Sequence, residues 1–270
     1  MLKNKLLVAA LAATFSLPAL AEDAPSITGN VGFVSDYVFN GISQTYRNPA
    51  LQGGFDYAHS SGLYVGTWAS NISGNQYTNA SLEWDMYGGY NGKVNDDLGY
   101  QIGFLEVMYP GGKAYNATPN YYKKWDTAQV VLGATWKTLN VKYTRTLTSW
   151  YGIDSEGFTP TMWADGSSTA DSAGVLDSKG SGYLEVNYSF EVKEGLTLAA
   201  HAGHQKIQNF ALLDYTDYKL AVTKAHAGFN FGLAYTTTNA TDNSLYHVMA
   251  NGDDKKLSGS IVAVSVARSF

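Results

Sequence analysis

The chain has 270 residues, no cysteine and a formal net charge of −5, from 18 Lys and Arg against 23 Asp and Glu. The lack of cysteine excludes a disulfide framework and a thiolate metal site. The acidic balance argues against nucleic acid as a partner, because phosphate binding needs clustered Lys and Arg. Aromatic residues make up 14% of the chain, yet the mean hydropathy is −0.18. A membrane β-barrel has this balance because lipid-facing apolar residues alternate with polar interior ones.

The first 21 residues have the pattern of a secretory signal peptide. Lys3 and Lys5 precede an apolar stretch over residues 6–17, and residues 19–21 (Ala-Leu-Ala) form a small-residue cleavage site. No later stretch approaches the roughly 18 consecutive apolar residues that a transmembrane helix needs. We therefore expect export through the inner membrane and a mature chain of residues 22–270. Its net charge changes from −5 to −7, because the two lysines are removed.

Twelve segments of the mature sequence alternate apolar and polar residues with the period of two that is typical of β-strands. Each is close to the roughly 9 to 11 residues with which a tilted strand crosses a bilayer. The pattern predicts an all-β fold, a transmembrane antiparallel up-and-down β-barrel of about twelve strands, in a single domain of residues 22–270. The predicted strands are 27–40, 50–58, 63–71, 80–92, 98–109, 126–137, 141–150, 181–191, 196–205, 215–224, 227–238 and 257–270.

The connections between these segments alternate between short and long. An even number of strands places both termini at the end of the barrel that carries the short turns. In an exported barrel we expect this to be the periplasmic end, with the longer loops extracellular. The longest loop, residues 151–180, is a candidate to fold into the lumen and narrow it. The longer connections are predicted at 41–49, 72–79, 110–125, 151–180, 206–214 and 239–256.

The last predicted strand ends on an aromatic residue. Val262, Val264 and Val266 share one face, smaller residues share the other, and Phe270 is the final residue. A closed barrel requires its last strand to pair with its first, which predicts barrel closure between 257–270 and 27–40. We also expect these four residues to contact the barrel-assembly machinery through the C-terminal strand.

Charged residues on the polar face of the predicted strands are candidates to line a pore. A charge on the lipid side is costly, so these residues should face the lumen. An alternative is that they are structural and pair acid to base across neighbouring strands. Their mixed signs favour no strongly selective filter. The candidates are Asp36, Asp56, Glu83, Asp85, Lys142, Glu185, His201, Asp217 and Lys219.

Some charged and aromatic residues lie on the apolar face. Glu106, Arg145 and Arg268 are near strand ends, where a long side chain reaches the interface, although a β-bulge would also explain them. Several aromatic residues near strand ends predict interfacial girdles, with a sugar-stacking platform as the alternative. They are Trp68, Trp84, Trp136, Trp150, Tyr64, Tyr90, Tyr100, Tyr143 and Tyr235.

Several motifs resemble a known family. Residues 35–45 (SDYVFNGISQT) and 48–57 (NPALQGGFDY) are similar to the opening signature of the TorF-type family of proteobacterial outer-membrane porins, and residues 62–71 (GLYVGTWASN), 109–111 and 214–220 continue the likeness. The resemblance implies an outer-membrane barrel and a channel. The family pattern leads us to expect Arg where this chain has Asn40. This chain therefore lacks that positive charge, which we expect to belong to the outer rim.

Taken together, these features predict an outer-membrane porin of a Gram-negative bacterium. It would allow passive diffusion of small hydrophilic solutes, with outer-membrane lipid as its surroundings and with no cofactor and no chemistry. The sequence leaves open whether barrels associate into homo-oligomers. The main alternative is a non-conducting barrel that acts as an adhesin, a receptor or a structural protein.

A less favoured alternative is an outer-membrane lipid hydrolase with a Ser/His/Asn site. No Gly-x-Ser-x-Gly motif is present. Of the five His residues, only His201 and His204 lie on a predicted strand. Because these two are three residues apart, they point to opposite faces of the strand and cannot bind one metal ion. We therefore predict neither a catalytic residue nor a metal site.

Overall fold

The computed structural model describes residues 25–115, 122–155, 176–240, 246–250 and 253–270. The predicted signal peptide, residues 1–21, lies outside them, and so does most of the predicted lumen loop 151–180. Within the described residues, no helix has the length and apolar character needed to cross a membrane. Two short 3₁₀ turns are present, at Trp150–Gly152 and Ala211–Leu213.

Strands dominate the described part of the chain. In chain order they are β1 Ser26–Val34, β2 Val38–Phe39, β3 Ile42–Ser43, β4 Ala50–Ala58, β5 Leu63–Asn71, β6 Leu82–Lys93, β7 Leu98–Met108, β8 Ala114–Tyr115, β9 Tyr122–Lys123, β10 Thr127–Trp136, β11 Leu139–Thr146, β12 Gly182–Lys193, β13 Leu196–Lys206, β14 Tyr215–His226, β15 Phe229–Thr238, β16 His247–Ala250, β17 Asp253–Lys256 and β18 Ile261–Ser269.

Twelve of these strands form one closed antiparallel barrel. Their order around it is β1, β4, β5, β6, β7, β10, β11, β12, β13, β14, β15, β18 and back to β1. The remaining strands form three small hairpins, β2–β3, β8–β9 and β16–β17, which lie in the connections. The predicted all-β, twelve-stranded up-and-down barrel is confirmed. The single-domain boundary 22–270 stays a prediction.

The predicted first strand, 27–40, is wrong at its end. β1 stops at Val34, the chain bends at residues 35–36, and Val38–Phe39 then pairs with Ile42–Ser43 in a separate hairpin. Asn40 and Gly41 form its two-residue turn, with φ angles of 45° and 81°. Asn-Gly is the pair that such a turn favours, because both residues tolerate positive φ.

The connections alternate in length as predicted. Short turns join β4 to β5, β6 to β7, β10 to β11, β12 to β13 and β14 to β15, and long connections join the other consecutive barrel strands. β1 begins and β18 ends at the barrel end that carries the short turns. The even strand number explains this, because each pair of antiparallel strands returns the chain to the same end.

Side chains of the barrel strands alternate between an apolar outer belt and a polar interior. On β12, Leu184 and Val186 point outward and are exposed, whereas Tyr183 and Glu185 point inward and are buried. Belts of exposed aliphatic and aromatic side chains of this extent are stable in lipid and not in water. The fold therefore places its apolar surface where a bilayer would contact it.

The seam between the first and last strands closes the barrel. Phe33 pairs with Val266 across it, and backbone bonds join Gly29 and Phe270 in both directions, at 2.8 and 2.9 Å. A Cβ at Gly29 would lie 2.5 Å from the Phe270 ring, so only glycine leaves room for that ring against β1. The Phe270 ring also packs edge-on against Phe55, with centroids 6.3 Å apart.

Val264 also belongs to the seam, because it exchanges hydrogen bonds with Ser35, just after β1. Val262 pairs with Tyr235 of β15 and lies beyond the register that β18 shares with β1. Contact of these residues with the assembly machinery stays a prediction.

The long connections pack into two apolar clusters at their end of the barrel. Ile153 and Leu257 are fully buried in the first, which lies beside β13 and β14. Tyr77, Tyr109 and Trp125 belong to the second, beside β7 and β10. A fully buried aliphatic side chain contributes about 1.5–3 kcal/mol. These clusters therefore hold the connections against the barrel mouth.

The seam contact of Phe270 leads to a stability prediction. Phe270→Ala should lower the free energy of unfolding by about 1 kcal/mol, because it removes the edge-on pair with Phe55. Urea unfolding in phospholipid vesicles, followed by tryptophan fluorescence, measures this change. Val262→Ala is a matched control, since Val262 is 64% exposed against 66% for Phe270 and does not pair with β1. Equal losses in both variants would contradict the assignment.

Candidate functional site

The hairpin Val38–Ser43, here called the inner hairpin, crosses the barrel mouth. On one side, Tyr37 just before it donates a hydrogen bond to Glu83 of β6 at 2.7 Å. On the other side, a Cβ at Gly41 would lie 2.8 Å from Asp217 of β14 and 2.9 Å from Thr238 of β15. Because β5 and β6 lie opposite β13 and β14 in the ring of strands, the inner hairpin spans the lumen.

The turn of the inner hairpin lies inside the barrel, and the expectation that it sits at the outer rim is wrong. Asn40 lines a cavity together with Lys142 and Glu185 of the barrel wall. An Arg at this position would therefore place its charge within the lumen.

The base of the inner hairpin is fixed by Asp36, which the sequence placed on a barrel strand. Its carboxylate accepts hydrogen bonds from Ser43 at 2.6 Å and Thr45 at 3.1 Å, and lies 3.8 Å from Arg47. Burial raises the pKa of the Asp36 carboxyl, against the lowering effect of these hydrogen bonds and of Arg47. Arg47 also donates to the backbone oxygens of Lys256 and Ser258.

One wall of the lumen joins carboxyl groups to tyrosine hydroxyls; we call it the tyrosine–carboxyl wall. Glu83 accepts hydrogen bonds from Tyr37 and from Tyr109, the latter at 2.8 Å. Asp56 of β4 accepts one from Tyr87 at 2.7 Å. No Lys or Arg nitrogen of the described residues lies within 4.0 Å of any carboxyl of this wall. The members are Asp56, Glu83, Asp85, Tyr37, Tyr87 and Tyr109.

The opposite wall balances its charges; we call it the ion-pair wall. Lys142 of β11 forms an ion pair with Glu185 of β12, directly across the strand pair. His201 of β13 lies 2.9 Å from Asp217 through Nε2 and 3.7 Å from Glu185 through Nδ1. Acid and base therefore alternate along it, as the structural alternative predicted. The members are Lys142, Glu185, His201, Asp217 and Lys219.

Tyrosine and asparagine complete the hydrogen bonding of the ion-pair wall. Tyr183 donates to Asp217 at 2.8 Å and lies 3.0 Å from His201 Nε2. Asn187 lies 2.7 Å from His201 Nδ1. The imidazole is thus held on both sides, which fixes its ring in the wall.

A narrow cavity lies between the inner hairpin and β7 to β13. Phe39 and Asn40 line it from the inner hairpin, and Gln129 and Tyr183 line it from the barrel wall. The space available to the centres of water molecules is about 80 Å³, and one water needs about 10–15 Å³ on this measure. The cavity therefore has room for several water molecules.

Inward-facing residues toward the short turns differ in size around the ring. Ala199 on β13 and Ser265 on β18 are small and partly exposed, whereas Tyr64 on β5 and Gln101 on β7 are large and buried. Near the long connections, inward-facing residues such as Gln205 are buried. The inner hairpin crosses the lumen at that end and narrows it there.

Eight of the nine predicted pore candidates point inward from barrel strands, and Asp36 lies beside the inner hairpin instead. Their role in permeation stays a prediction. Tyr37, Tyr109 and Arg47 were not among the predicted residues. Arg47 lies in a connection, and Tyr37 and Tyr109 lie at the ends of the predicted strands 27–40 and 98–109, beyond the barrel strands β1 and β7. Tyr183 lies on the same face of its predicted strand as Glu185, so the alternation would have identified Tyr183 as inward-facing.

The predicted aromatic girdles are correct in part. Trp84, Trp136 and Tyr235 face outward and are exposed, as are Tyr90, Tyr100 and Tyr143. Trp68 faces inward and packs edge-on against Tyr37, and Tyr64 faces inward and accepts a hydrogen bond from Gln101. Trp150 is buried in the first apolar cluster. For these three the prediction is wrong, because strand ends do not fix which face an aromatic ring occupies.

The three charges on the apolar face do point outward. Strand pairing is continuous through Glu106, Arg145 and Arg268, so no bulge explains them. The irregularity in barrel pairing lies instead between Glu191 and Lys193.

The histidines on β13 point to opposite faces, as predicted. His201 faces inward, while His204 faces outward and contacts Thr216 Oγ1 at 2.9 Å. Among the described residues, no group of three His, Asp or Glu side chains is arranged to hold a metal ion.

Comparison with known proteins gives a family and a fold. A family described as "Bacterial protein of unknown function (Gcw_chp)" matches residues 19–270, and no curated protein matches. The KdgM porin superposes with a TM-score of 0.50 at 8% identity, over 90% of this chain and 99% of that one. The NanC porin gives 0.44 at 9%, over 91% and 99%. Acinetobacter baumannii OccAB4 gives 0.41 at 11%, over 92% and 62%. These matches do not confirm the TorF-type name.

The bond between Tyr37 and Glu83 leads to a second stability prediction. Tyr37→Phe should lower the free energy of unfolding by about 1–3 kcal/mol, because a buried carboxylate oxygen loses its donor. Tyr235→Phe removes an exposed hydroxyl that contacts Ser260, and should change it by less than about 0.5 kcal/mol. Chemical denaturation of both variants in detergent tests this. Equal effects would mean that Tyr37 does not anchor the inner hairpin.

Proposed function

The chain belongs to a bacterial family of unknown function, and from its own geometry we propose that it is an outer-membrane porin for passive diffusion of small hydrophilic solutes. The observation that carries the proposal is the lumen, which has polar walls and is narrowed by the inner hairpin at the end with the long connections. Twelve strands enclose more space than side chains alone fill. The fold that the chain shares with the KdgM porin supports the proposal.

We place the barrel in the outer membrane with its short turns in the periplasm. The outward apolar belt supports insertion into lipid, and the signal-peptide pattern of residues 1–21 supports export. The long connections and their two apolar clusters then face the exterior. Folding there would depend on the assembly machinery recognising the C-terminal strand.

The solute proposed is small and neutral or positively charged. The tyrosine–carboxyl wall carries three carboxyl groups without a nearby described cation, whereas the ion-pair wall is balanced. The lumen therefore has more carboxyl groups than basic groups, and those that are ionised attract cations weakly and repel anions. Tyrosine hydroxyls and amide groups at the cavity offer hydrogen bonds to a hydrophilic solute.

A non-conducting barrel is the second candidate, and the two apolar clusters at the mouth favour it. They pack long connections over the lumen, and an adhesin or receptor would present that surface to the exterior. An enzyme is less favoured, because His201 contacts Tyr183, Asn187 and Asp217 in the wall and no serine.

Planar bilayer recordings distinguish the porin from the closed barrel. The wild-type protein should give small, uniform conductance steps. Gly41→Ala should raise the conductance, because a Cβ there meets Asp217 and Thr238 and drives the inner hairpin off the wall.

Gly259→Ala is the matched control for this measurement. Gly259 has a similar φ of 84°, but the nearest atom to its Cβ, in Lys256, is 3.6 Å away. It should therefore suffer the same backbone strain without a change in conductance. Absence of steps in wild type and in Gly41→Ala would exclude the porin.

The excess of acid predicts weak cation preference in a salt gradient. Glu83→Gln with Asp85→Asn should move the reversal potential toward zero, because the charges lie at the narrow part of the lumen. Asp96→Asn with Glu194→Gln removes two charges from exposed positions in the short turns, and should change it little. Anion preference in the wild type would refute the electrostatic part of the proposal.

A further inference from the structure

Two cations lie at the same level on the outer surface of the barrel near the long connections, on strands that are separated by β12. Arg145 of β11 pairs with Gly182 of β12, and Gly182 pairs with Lys206 of β13. Arg145 and Lys206 are both exposed. Adjacent strands are about 4.8 Å apart, so their backbones are roughly 10 Å apart. The Tyr143 side chain fills the space above Gly182, because its hydroxyl lies 2.5 Å from the position that a Cβ of residue 182 would take.

The outward side chains change in character from this row toward the middle of the barrel. The next row holds Tyr143, Leu184 and His204, which combine apolar area with polar atoms. The row after that holds only Val141, Val186 and Ala202. Charge, then amphipathic groups, then aliphatic groups is the order in which a lipid presents its headgroup, its linkage and its acyl chains.

No acid neutralises the two cations within the described residues. No Asp or Glu oxygen there lies within 4.0 Å of Arg145 or Lys206. Outward cations at the short-turn end have partners instead. Lys137 lies 3.8 Å from Asp97, and Arg268 stacks over the Phe229 ring at 5.4 Å.

We propose that Arg145 and Lys206 together bind a phosphate group of a lipid in the leaflet around the long-connection end. The inference rests on the proposed outer-membrane location, where that leaflet contains lipid A. Arg offers two parallel N–H donors to phosphate oxygens, and Lys adds a mobile point charge. Both side chains are long enough to reach one phosphate above the Tyr143 hydroxyl, which lies between them over Gly182. The outer face of β11 to β13 then binds one lipid molecule at a defined position.

Binding of lipid A to the purified, folded barrel in detergent tests this, by native mass spectrometry. Wild type should bind bisphosphorylated lipid A and bind its dephosphorylated form much more weakly. Arg145→Gln with Lys206→Gln should weaken lipid A binding about tenfold, the expected effect of losing a charge-assisted hydrogen bond. Lys206→Gln alone serves if the double variant fails to fold.

The matched control removes one Lys and one Arg from the opposite rim. Lys137→Gln with Arg268→Gln should bind lipid A as wild type does. Equal binding by the Arg145 and Lys206 variants, or equal binding of both lipid forms, would overturn the proposal. Displacement of lipid A by millimolar pyrophosphate would show a site for free phosphate and would also overturn it.

The lipid-binding proposal and the proposed porin function can fail independently of each other. Channel conductance of the Arg145 and Lys206 double variant should equal that of wild type, because both residues lie outside the lumen. Unchanged lipid binding with intact conductance would remove only this inference. Absence of conductance in a wild type that binds lipid A would remove only the porin.

Discussion

Closure of the antiparallel ladder between β1 and β18 is the constraint on which the rest of the structure depends. Lipid offers no hydrogen bonds, so every backbone group of a spanning strand must be paired with a neighbour, and only a ring of strands achieves this. Once the ring is closed, each side chain points either outward or inward. The outer belt, the two lumen walls and the outward pair of Arg145 and Lys206 all follow from that alternation.

The polar side chains inside the barrel form two groups on opposite walls. The ion-pair wall satisfies charge with charge, whereas the tyrosine–carboxyl wall pairs Glu83 and Asp56 with tyrosine hydroxyls and leaves Asp85 Oδ1 without a hydrogen-bond partner among the described residues. This wall also has an excess of carboxyl groups over basic groups. Desolvation makes unpaired buried charge costly, so tyrosines that donate to Glu83 and Asp56 stabilise groups that would otherwise be expensive to bury. The inner hairpin contacts both walls, so residues of both walls line the section of the lumen that it narrows.

The sequence predicted the barrel well because alternation is repeated in every strand and each strand obeys the same rule. It placed Lys142, Glu185 and Asp217 inward for that reason. It placed Asp36 on a strand because residues 35–39 continue the pattern, although the bend after Val34 depends on contacts with Ser43 and Thr45. The prediction that Trp68 faces lipid failed for a similar reason, because an aromatic ring packs equally well against lipid and against other side chains in the lumen. Connections carry no periodic signal, so the sequence could not show that residues 38–43 fold inward, and loop length alone pointed to residues 151–180 instead.

The tethers of the inner hairpin join the two ends of the chain. Ser43 donates its backbone N–H to Leu257, and Arg47 reaches Lys256 and Ser258, more than 200 positions away in sequence. The inner hairpin therefore depends on the segment just before β18, so the position of the residues that cross the lumen is coupled to the two strands that close the ring.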